Sequence, residues 1–272
     1  MQPASRTSLA SARERLDGVT DDAGPDELAR LGEELFAVAE LLHRERRLRR
    51  NLADQAAPES SRRSLVQSLL AEQLGKQSLE TVTAVATSRW SRPVDMVDAV
   101  EELGRQAIFG IVERDGSLEE VEDELFRFGR ALDAEPKLAS LLGDETGPVE
   151  GRLELLRRSL GDAAQPVTRQ LLEHAVRLPR RRDFEELVAE LVERAAARRE
   201  RYIAYVTASG SLSEAQEQRL LDALGRIYHR SISLRVQLDP DLLGGLVIRV
   251  GDEVIDGSVS GRLERARQWL PH

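Results

Sequence analysis

The C-terminal segment Leu242–Glu264, LLGGLVIRVGDEVIDGSVSGRLE, decides the fold of this part of the chain. It contains two short runs, the apolar Leu246–Val250 and then Glu253–Ile255, separated only by Gly251-Asp252. Glycine and aspartate tolerate the backbone angles of a tight two-residue turn. The segment therefore predicts a β-hairpin.

Turn and cap residues surround this hairpin. Gly244-Gly245 is expected to end the preceding turn, and Asp256-Gly257 to reverse the chain after the second strand. Ser258 or Ser260 then suits the N-cap of a closing helix. The Gly-Gly pair precedes a strand and not a helix, so it lacks the helix N-terminus that a phosphate site uses.

The residues upstream complete a small α/β module over about 201–272. Tyr202–Ala208 is typical of a strand, and the capping box Ser213–Gln216 predicts a helix that continues to about His229. Ser231–Leu238 alternates polar and apolar residues, which predicts a half-buried strand. The residues on its apolar face are Ile232, Leu234, Val236 and Leu238.

The composition favours helices for the rest of the chain. Hydrophobic residues make up 41% of the 272 residues, charged residues 32% and aromatic residues only 4%. The chain has no cysteine, which excludes disulfides, thiolate metal sites and cysteine nucleophiles. A net charge of −9 argues against nucleic acid and anionic lipid as partners. No apolar run approaches the roughly 20 residues that cross a bilayer.

The helical part contains an internal duplication. Glu34–Phe36 recurs as Glu124–Phe126, an offset of 90 (124 − 34). Leu74-Gly75 matches Leu160-Gly161 at an offset of 86, which predicts a four-residue deletion between the third and fourth helices of the second copy. Repeats of this length indicate two similar domains and not a thin solenoid.

Each copy is predicted to be a six-helix bundle, one over 1–104 and the other over 105–200. Ser117–Glu120 is a capping box, and the prolines at 136, 148 and 166 suit the first turns of three further helices. Val94–Glu113 carries one uninterrupted helical apolar pattern across the boundary, so we expect no linker between the copies. The fold class is mainly α: two tandem six-helix bundles followed by the α/β module.

Recognisable catalytic patterns are missing. The histidines at 43, 174, 229 and 272 do not have metal-ligand spacing, and Gly75-Lys76 lacks the rest of a phosphate loop. The basic runs His43–Arg50 and Arg180–Arg182 are typical of solvated helix ends, whose cations complement the helix dipole. An acidic partner helix is the alternative interpretation of these two runs.

The C-terminal string resembles the end of the delta subunit of F-type ATP synthases, the bacterial counterpart of the mitochondrial oligomycin-sensitivity-conferring protein. That family ends on an apolar residue, Gly-Gly, an apolar run, Gly-Asp, then Ile-Asp-Gly-Ser and a later Leu. The positions that carry this pattern are Leu243, Gly244, Gly245, Leu246–Val250, Gly251, Asp252, Ile255, Asp256, Gly257, Ser258 and Leu263. The duplicated helical domain is similar to the extended form of actinobacteria.

The resemblance implies a non-catalytic stator subunit without a cofactor or metal, on the cytoplasmic face of the plasma membrane and held there through its partners. The α/β module would bind the b-type peripheral stalk. The second helical copy would hold N-terminal helices of the α subunits, with β subunits as further candidates, in a groove between its first and fifth helices. The groove residues implied are Ala107, Ile108, Phe109, Ile111, Val112, Leu171, Leu172, Ala175 and Val176. One departure is Gly104, where the family commonly has an aromatic residue.

Two other interpretations are open at this point. A helical adaptor of a different assembly would share the fold without these partners. An enzyme binding phosphate at Gly244-Gly245 fits poorly, because a strand follows the glycines. Co-purification with α and β subunits would separate the stator from both alternatives.

Overall fold

The computed structural model describes residues 1–20, 23–179, 183–201, 203–228, 232–239, 242, 244–251 and 253–259. The chain forms two compact units. The helical unit consists of Met1–Val112 and Glu124–Ala189, and the C-terminal unit of Glu113–Asp123 and Glu190–His272. The three domains predicted above separate the two helical copies from each other. In the structure, most of both copies lies in the one helical unit.

Eleven helices are described before the first strand. The first copy contains α1 (Pro3–Thr20), α2 (Pro25–Arg44), α3 (Arg46–Ala53), α4 (Glu59–Leu70), α5 (Lys76–Thr87) and the first half of α6 (Pro93–Asp115). The second copy contains the rest of α6, α7 (Leu118–Ala134), α8 (Pro136–Gly143), α9 (Val149–Leu160), α10 (Pro166–Arg177) and α11 (Phe184–Arg201). None of the helices in the described ranges is long and apolar enough to cross a membrane.

The helix starts follow the predicted signals. Pro136 and Pro166 open α8 and α10, and Pro148 lies one residue before α9. The predicted continuous helix across the copy boundary is confirmed, because α6 runs without a break through the 104/105 boundary. The two copies therefore share one helix.

A half-buried carboxylate occupies the same position in both copies. Glu34 accepts a hydrogen bond from the Gly75 amide at 2.7 Å, at the start of α5. Glu124 accepts one from the Gln165 amide at 3.0 Å, at the start of α10, and another from the Thr168 hydroxyl at 2.5 Å. Each carboxylate satisfies orphan donors at the N-terminus of the fifth helix of its copy. The two carboxylates and the two amides are both 90 positions apart (124 − 34 and 165 − 75).

A buried arginine repeats at the same interval. Arg62 on α4 donates to the Ala86 carbonyl at 2.6 Å, and Arg152 on α9 donates to the Val176 carbonyl at 2.7 Å. Both guanidinium groups bond the last carbonyls of a fifth helix, which lack partners within the helix. The offset is 90 for donor and acceptor alike (152 − 62 and 176 − 86).

The predicted offset of 86 and the four-residue deletion are therefore wrong. Gly75 is the N-cap of α5, whereas Gly161 ends α9 with φ +72. The matching Leu-Gly pairs thus sit at opposite ends of different helices. Positive φ favours glycine at a helix C-terminus, and this local demand produced a coincidental match.

The core of the first copy continues into the second. Its buried cluster includes Leu31, Leu35 and Leu42 of α2 together with Val97, Val100 and Leu103 of α6. The same cluster extends to Ala107 and Leu178. A shared helix and shared apolar contacts therefore join the two copies.

Among the described residues from 203 onward, the C-terminal unit contains a four-stranded sheet and one long helix. Its elements are β1 (Ile203–Ala208), α12 (Glu214–Tyr228), β2 (Ser233–Leu238), β3 (Leu246–Val250) and β4 (Glu253–Asp256), and the strand order is β2-β1-β3-β4. β1 is parallel to β2 and antiparallel to β3, and β3 and β4 form the predicted hairpin. Ser213 immediately precedes α12, as predicted, and one half of the capping box is present: its amide donates to the Gln216 side-chain oxygen at 2.8 Å, as does its hydroxyl at 3.0 Å.

Strand β2 is more exposed than the alternation predicts. Ile232 and Leu234 pack against the core of this unit, but Val236 is 38% exposed and Leu238 56%. β2 is an edge strand, and Leu220, Leu224 and Tyr228 of α12 pack against the core of this unit. Ser231 and His229, at the predicted ends of β2 and α12, lie outside the described residues.

Candidate interaction sites

The predicted groove residues of the second copy come together on α6 and α10. All of them are buried except Ile111, which is half-buried. The buried residues are Ala107, Ile108, Phe109, Val112, Leu171, Leu172, Ala175 and Val176. The groove is therefore not an open apolar surface in this structure.

Helix α2 of the first copy lies against this groove. An added Cβ on Gly32 of α2 would lie 2.2 Å from Cδ1 of Ile108, and one on Gly104 of α6 would lie 2.7 Å from Cδ1 of Phe36. Phe36 is 5% exposed and stacks on His174 of α10, with ring centroids 3.8 Å apart and an interplanar angle of 8°. Thus α2 contacts both helices of the groove. No sequence pattern predicted this contact; Gly32, Gly104 and Phe36 are the residues that permit it.

His174 of α10 is buried where α2 packs against α6 and α10, a contact region called the joint below. Its Nε2 atom lies 3.5 Å from Oε1 of Glu101, and its Nδ1 atom 4.0 Å from Oε1 of Glu40. Burial raises the pKa of the Glu40 carboxyl, although Arg177 and Arg44 oppose this. Within the described ranges, no cluster of three histidine, aspartate or glutamate residues has a geometry that suits a metal ion.

A small cavity of about 300 Å³ remains between α2 and α10. Its lining includes Glu33 and Glu40 of α2, Gln170, Glu173 and Arg177 of α10, and the apolar side chains of Phe36 and Ala37. Gln170 donates a hydrogen bond to Glu33 across the joint at 3.1 Å. The joint therefore has an apolar centre at Phe36 and charged side chains at its edge.

The basic run His43–Arg50 behaves as a helix end. It spans the end of α2 and the start of α3, and the Arg49 guanidinium donates to the carbonyls of Leu42 and His43, both at 3.1 Å. These carbonyls belong to the last turn of α2, where a cation is favourable. The second basic run, Arg180–Arg182, lies outside the described residues.

The C-terminal motif folds back on itself through backbone contacts. Gly257 donates its amide to the Leu246 carbonyl, and Val259 donates to the Gly244 carbonyl, both at 2.9 Å. An added Cβ on Gly245, whose φ is +88, would lie 2.5 Å from the Gly257 carbonyl oxygen. The space beside the double glycine is therefore occupied by the chain itself, and the Gly257 carbonyl oxygen lies where an anion would have to bind.

The remaining motif residues shape turns. Gly251 has φ +57, as the tight turn between β3 and β4 requires. The Asp256 carboxylate accepts the Ser258 amide at 2.8 Å, and Ser258 is buried. Three predicted motif positions, Leu243, Asp252 and Leu263, lie outside the described residues, as does the predicted closing helix beyond 259.

One face of the C-terminal sheet carries an exposed row that the sequence reasoning missed. Tyr205 of β1 is paired with Arg235 of β2 and with Arg249 of β3, and Arg249 is paired with Val254 of β4. The Arg249 guanidinium lies 4.8 Å from the Tyr205 ring centre, and Arg235 lies 6.0 Å from it. Both arginines are exposed, and Val254 is 59% exposed. Only the strand register, unknown from sequence, brings these four residues together.

Comparison with known proteins identifies the family. The family model described as "ATP synthase delta (OSCP) subunit" matches residues 105–270. The chain belongs to this family. An ATP synthase subunit delta of Streptomyces griseus subsp. griseus is 46% identical over 270 residues, which is 99% of each chain. One of Streptomyces avermitilis is 44% identical, over 98% of this chain and 97% of that one.

A related protein has a longer chain. An ATP synthase subunit b-delta of Mycobacterium sp. (strain KMS) is 44% identical over 271 residues, which is all of this chain but 61% of the mycobacterial protein. The family assignment makes this delta-family chain a non-catalytic stator subunit of the F-type ATP synthase.

Proposed function

We propose that the helical unit contacts N-terminal helices of the α subunits and that the C-terminal unit binds the b-type peripheral stalk. The fused b-delta relative supports the second contact, since in that protein the two names belong to one polypeptide. On this proposal the protein works at the cytoplasmic face of the plasma membrane, held there by its partners. β subunits are additional candidates for contact with the helical unit.

The observation that carries the stalk assignment is the surface of the C-terminal sheet. Val254 is exposed beside the arginines of one face, and Val236 and Leu238 are exposed on the opposite face of the edge strand. Exposed apolar side chains at a sheet edge are typical of a surface that a partner covers. Arg235 and Arg249 would pair with carboxylates of that partner.

The α-subunit contact rests on the character of the helical unit. The groove between α6 and α10 accepts an amphipathic helix, as α2 demonstrates. A helix of an α subunit would bind either in this groove, after displacing α2, or on another face of the unit. Helix-in-groove docking suits a stator, because it resists torque through buried apolar contacts without catalysis.

Two titrations test which part of the chain binds which partner. The C-terminal segment of the stalk subunit and an N-terminal peptide of the α subunit are each titrated by calorimetry into the full chain and into a chain ending at Arg201. We expect the shortened chain to lose stalk binding and to keep peptide binding, so each ligand is the control for the other. Equal stalk binding by both chains would refute the assignment of the C-terminal unit.

A further inference from the structure

The joint between the two helical copies is built on two glycines that face each other. A Cβ on Gly32 would meet the Ile108 side chain, with Cγ1 at 2.5 Å, and one on Gly104 would meet the Phe36 ring at 2.7 and 2.8 Å. Each glycine also approaches the backbone of the other helix, because the added Cβ positions lie 3.3 and 3.4 Å from the opposite carbonyl oxygens. Small residues on both helices allow α2 and α6 to cross this closely.

Phe36 supplies the side chain that Gly104 lacks. Its ring lies directly over Gly104 and stacks on His174, so it fills the space between α6 and α10 from outside the second copy. A larger residue at position 104 would occupy the same volume. The absence of a side chain at Gly104 therefore makes room for the Phe36 ring.

The internal duplicate shows that this use of the aromatic residue is specific to the first copy. Phe126 of α7 is the counterpart of Phe36 at the offset of 90, and it is 56% exposed. The two residues follow the same Glu-Leu dipeptide, and Leu35 and Leu125 are both fully buried. The local sequence therefore does not determine whether this phenylalanine is buried. Phe36 is buried because it lies in the groove of the second copy.

Helix α2 cannot leave the groove without the rest of the first copy. Its other apolar side chains, Leu31, Leu35 and Leu42, are part of the core of the first copy. That core also contains Val97 and Leu103 of α6, the helix that forms one wall of the groove. Withdrawing α2 would require the first copy to move with it, but the shared helix holds both copies.

We propose that the groove between α6 and α10 is a permanent joint within this chain and is not a docking site for a partner helix. The two copies then act as one rigid brace, and an α-subunit helix binds the helical unit at a face outside this groove. The inference concerns the same contact as the proposed function and rests on it only for the identity of the partner.

Thiol labelling tests the permanence of the joint, because the natural chain has no cysteine. Ile108→Cys places a thiol at the centre of the joint, and Leu125→Cys is the control in the interior of the second copy; both native residues are fully buried. We expect both thiols to react at the same rate, within about threefold, since both need global unfolding. Labelling of I108C more than tenfold faster than L125C would show that the joint opens by itself and would overturn the proposal.

A cross-link tests the same inference in the presence of the partner. Glu33→Cys and Gln170→Cys replace two side chains that already meet across the joint, and a short flexible bis-maleimide locks them. We expect the locked chain to bind the catalytic head, or the α-subunit peptide, within about twofold of the unlocked double variant. Loss of binding on locking alone would mean that α2 must leave the groove, and would overturn the inference while keeping the function. If neither form binds, the α-subunit contact is wrong and the labelling rates decide the joint.

Discussion

Gly245→Ala should destabilise the C-terminal unit far more than the addition of one methyl group would suggest. At φ +88 an L-residue costs about 1–2 kcal/mol. Its Cβ would also lie 2.5 Å from the Gly257 carbonyl oxygen and 2.9 Å from the Ser258 Cα atom, so backbone must move. Two hydrogen bonds hold that backbone, and weakening each loses about 1 kcal/mol. We expect the free energy of unfolding to fall by about 3 kcal/mol.

Hydrogen exchange of β1 and β3 in the full-length chain measures this loss for the C-terminal unit separately, which matters because two units need not unfold together. Gly210→Ala is the matched control, since an added Cβ there meets no atom within 4 Å and its φ is not positive. It should change stability by less than about 0.5 kcal/mol. Equal protection in the two variants would refute the steric argument. Unchanged stability with lost stalk binding would make Gly245 a contact residue.

Three further predictions concern single side chains. Phe36→Ala should destabilise the helical unit by about 3–5 kcal/mol in chemical denaturation, whereas Phe126→Ala, at its exposed counterpart, should stay within about 0.5 kcal/mol; similar losses would contradict the packing of the joint. Arg152→Met should cost about 1–3 kcal/mol in the same assay by leaving the Val176 carbonyl unpaired, and a neutral result would show that carbonyl to be hydrated. Burial and its acidic acceptor raise the pKa of Tyr228 to about 12, so the stability it contributes is complete below pH 10 and is lost as pH rises towards 12. Tyr228→Phe should flatten that alkaline loss, and an unchanged pH profile would count against it.

Local signals predicted much of the C-terminal unit. The tight turn between β3 and β4, the cap at Ser213 and the strand near Tyr205 each depend on a few neighbouring residues. The exposure of Val236 and Leu238 was not predictable, because alternation says which residues share a face and not whether a helix covers it. The row that joins Arg235, Tyr205 and Arg249 likewise requires the register.

The helical part shows a different limit. The continuous helix α6 was predictable from its apolar period, but matching Leu-Gly pairs suggested a false deletion. The true register appears in Glu34 and Glu124, which bond the same helix ends 90 positions apart. Helix α2, which occupies the predicted groove, contacts α6 at a separation of 68 residues (104 − 36) and α10 at 138 (174 − 36). Helical periodicity carries no information about contacts over such distances. In a chain with one helical copy, α2 would be absent and could not occupy this groove. Here the additional copy supplies the helix that occupies it.

A stator subunit of this kind must link the catalytic head physically to the stalk. The direct measurement is retention of the α3β3 head on an immobilised stalk segment in the presence of the full-length chain, or of its two parts, 1–201 and 202–272, added as separate chains. We predict that the full-length chain retains the head and that the separated parts do not, although each part still binds its own partner. Retention of the head by the separated parts, or none with the intact chain, would contradict the stator link.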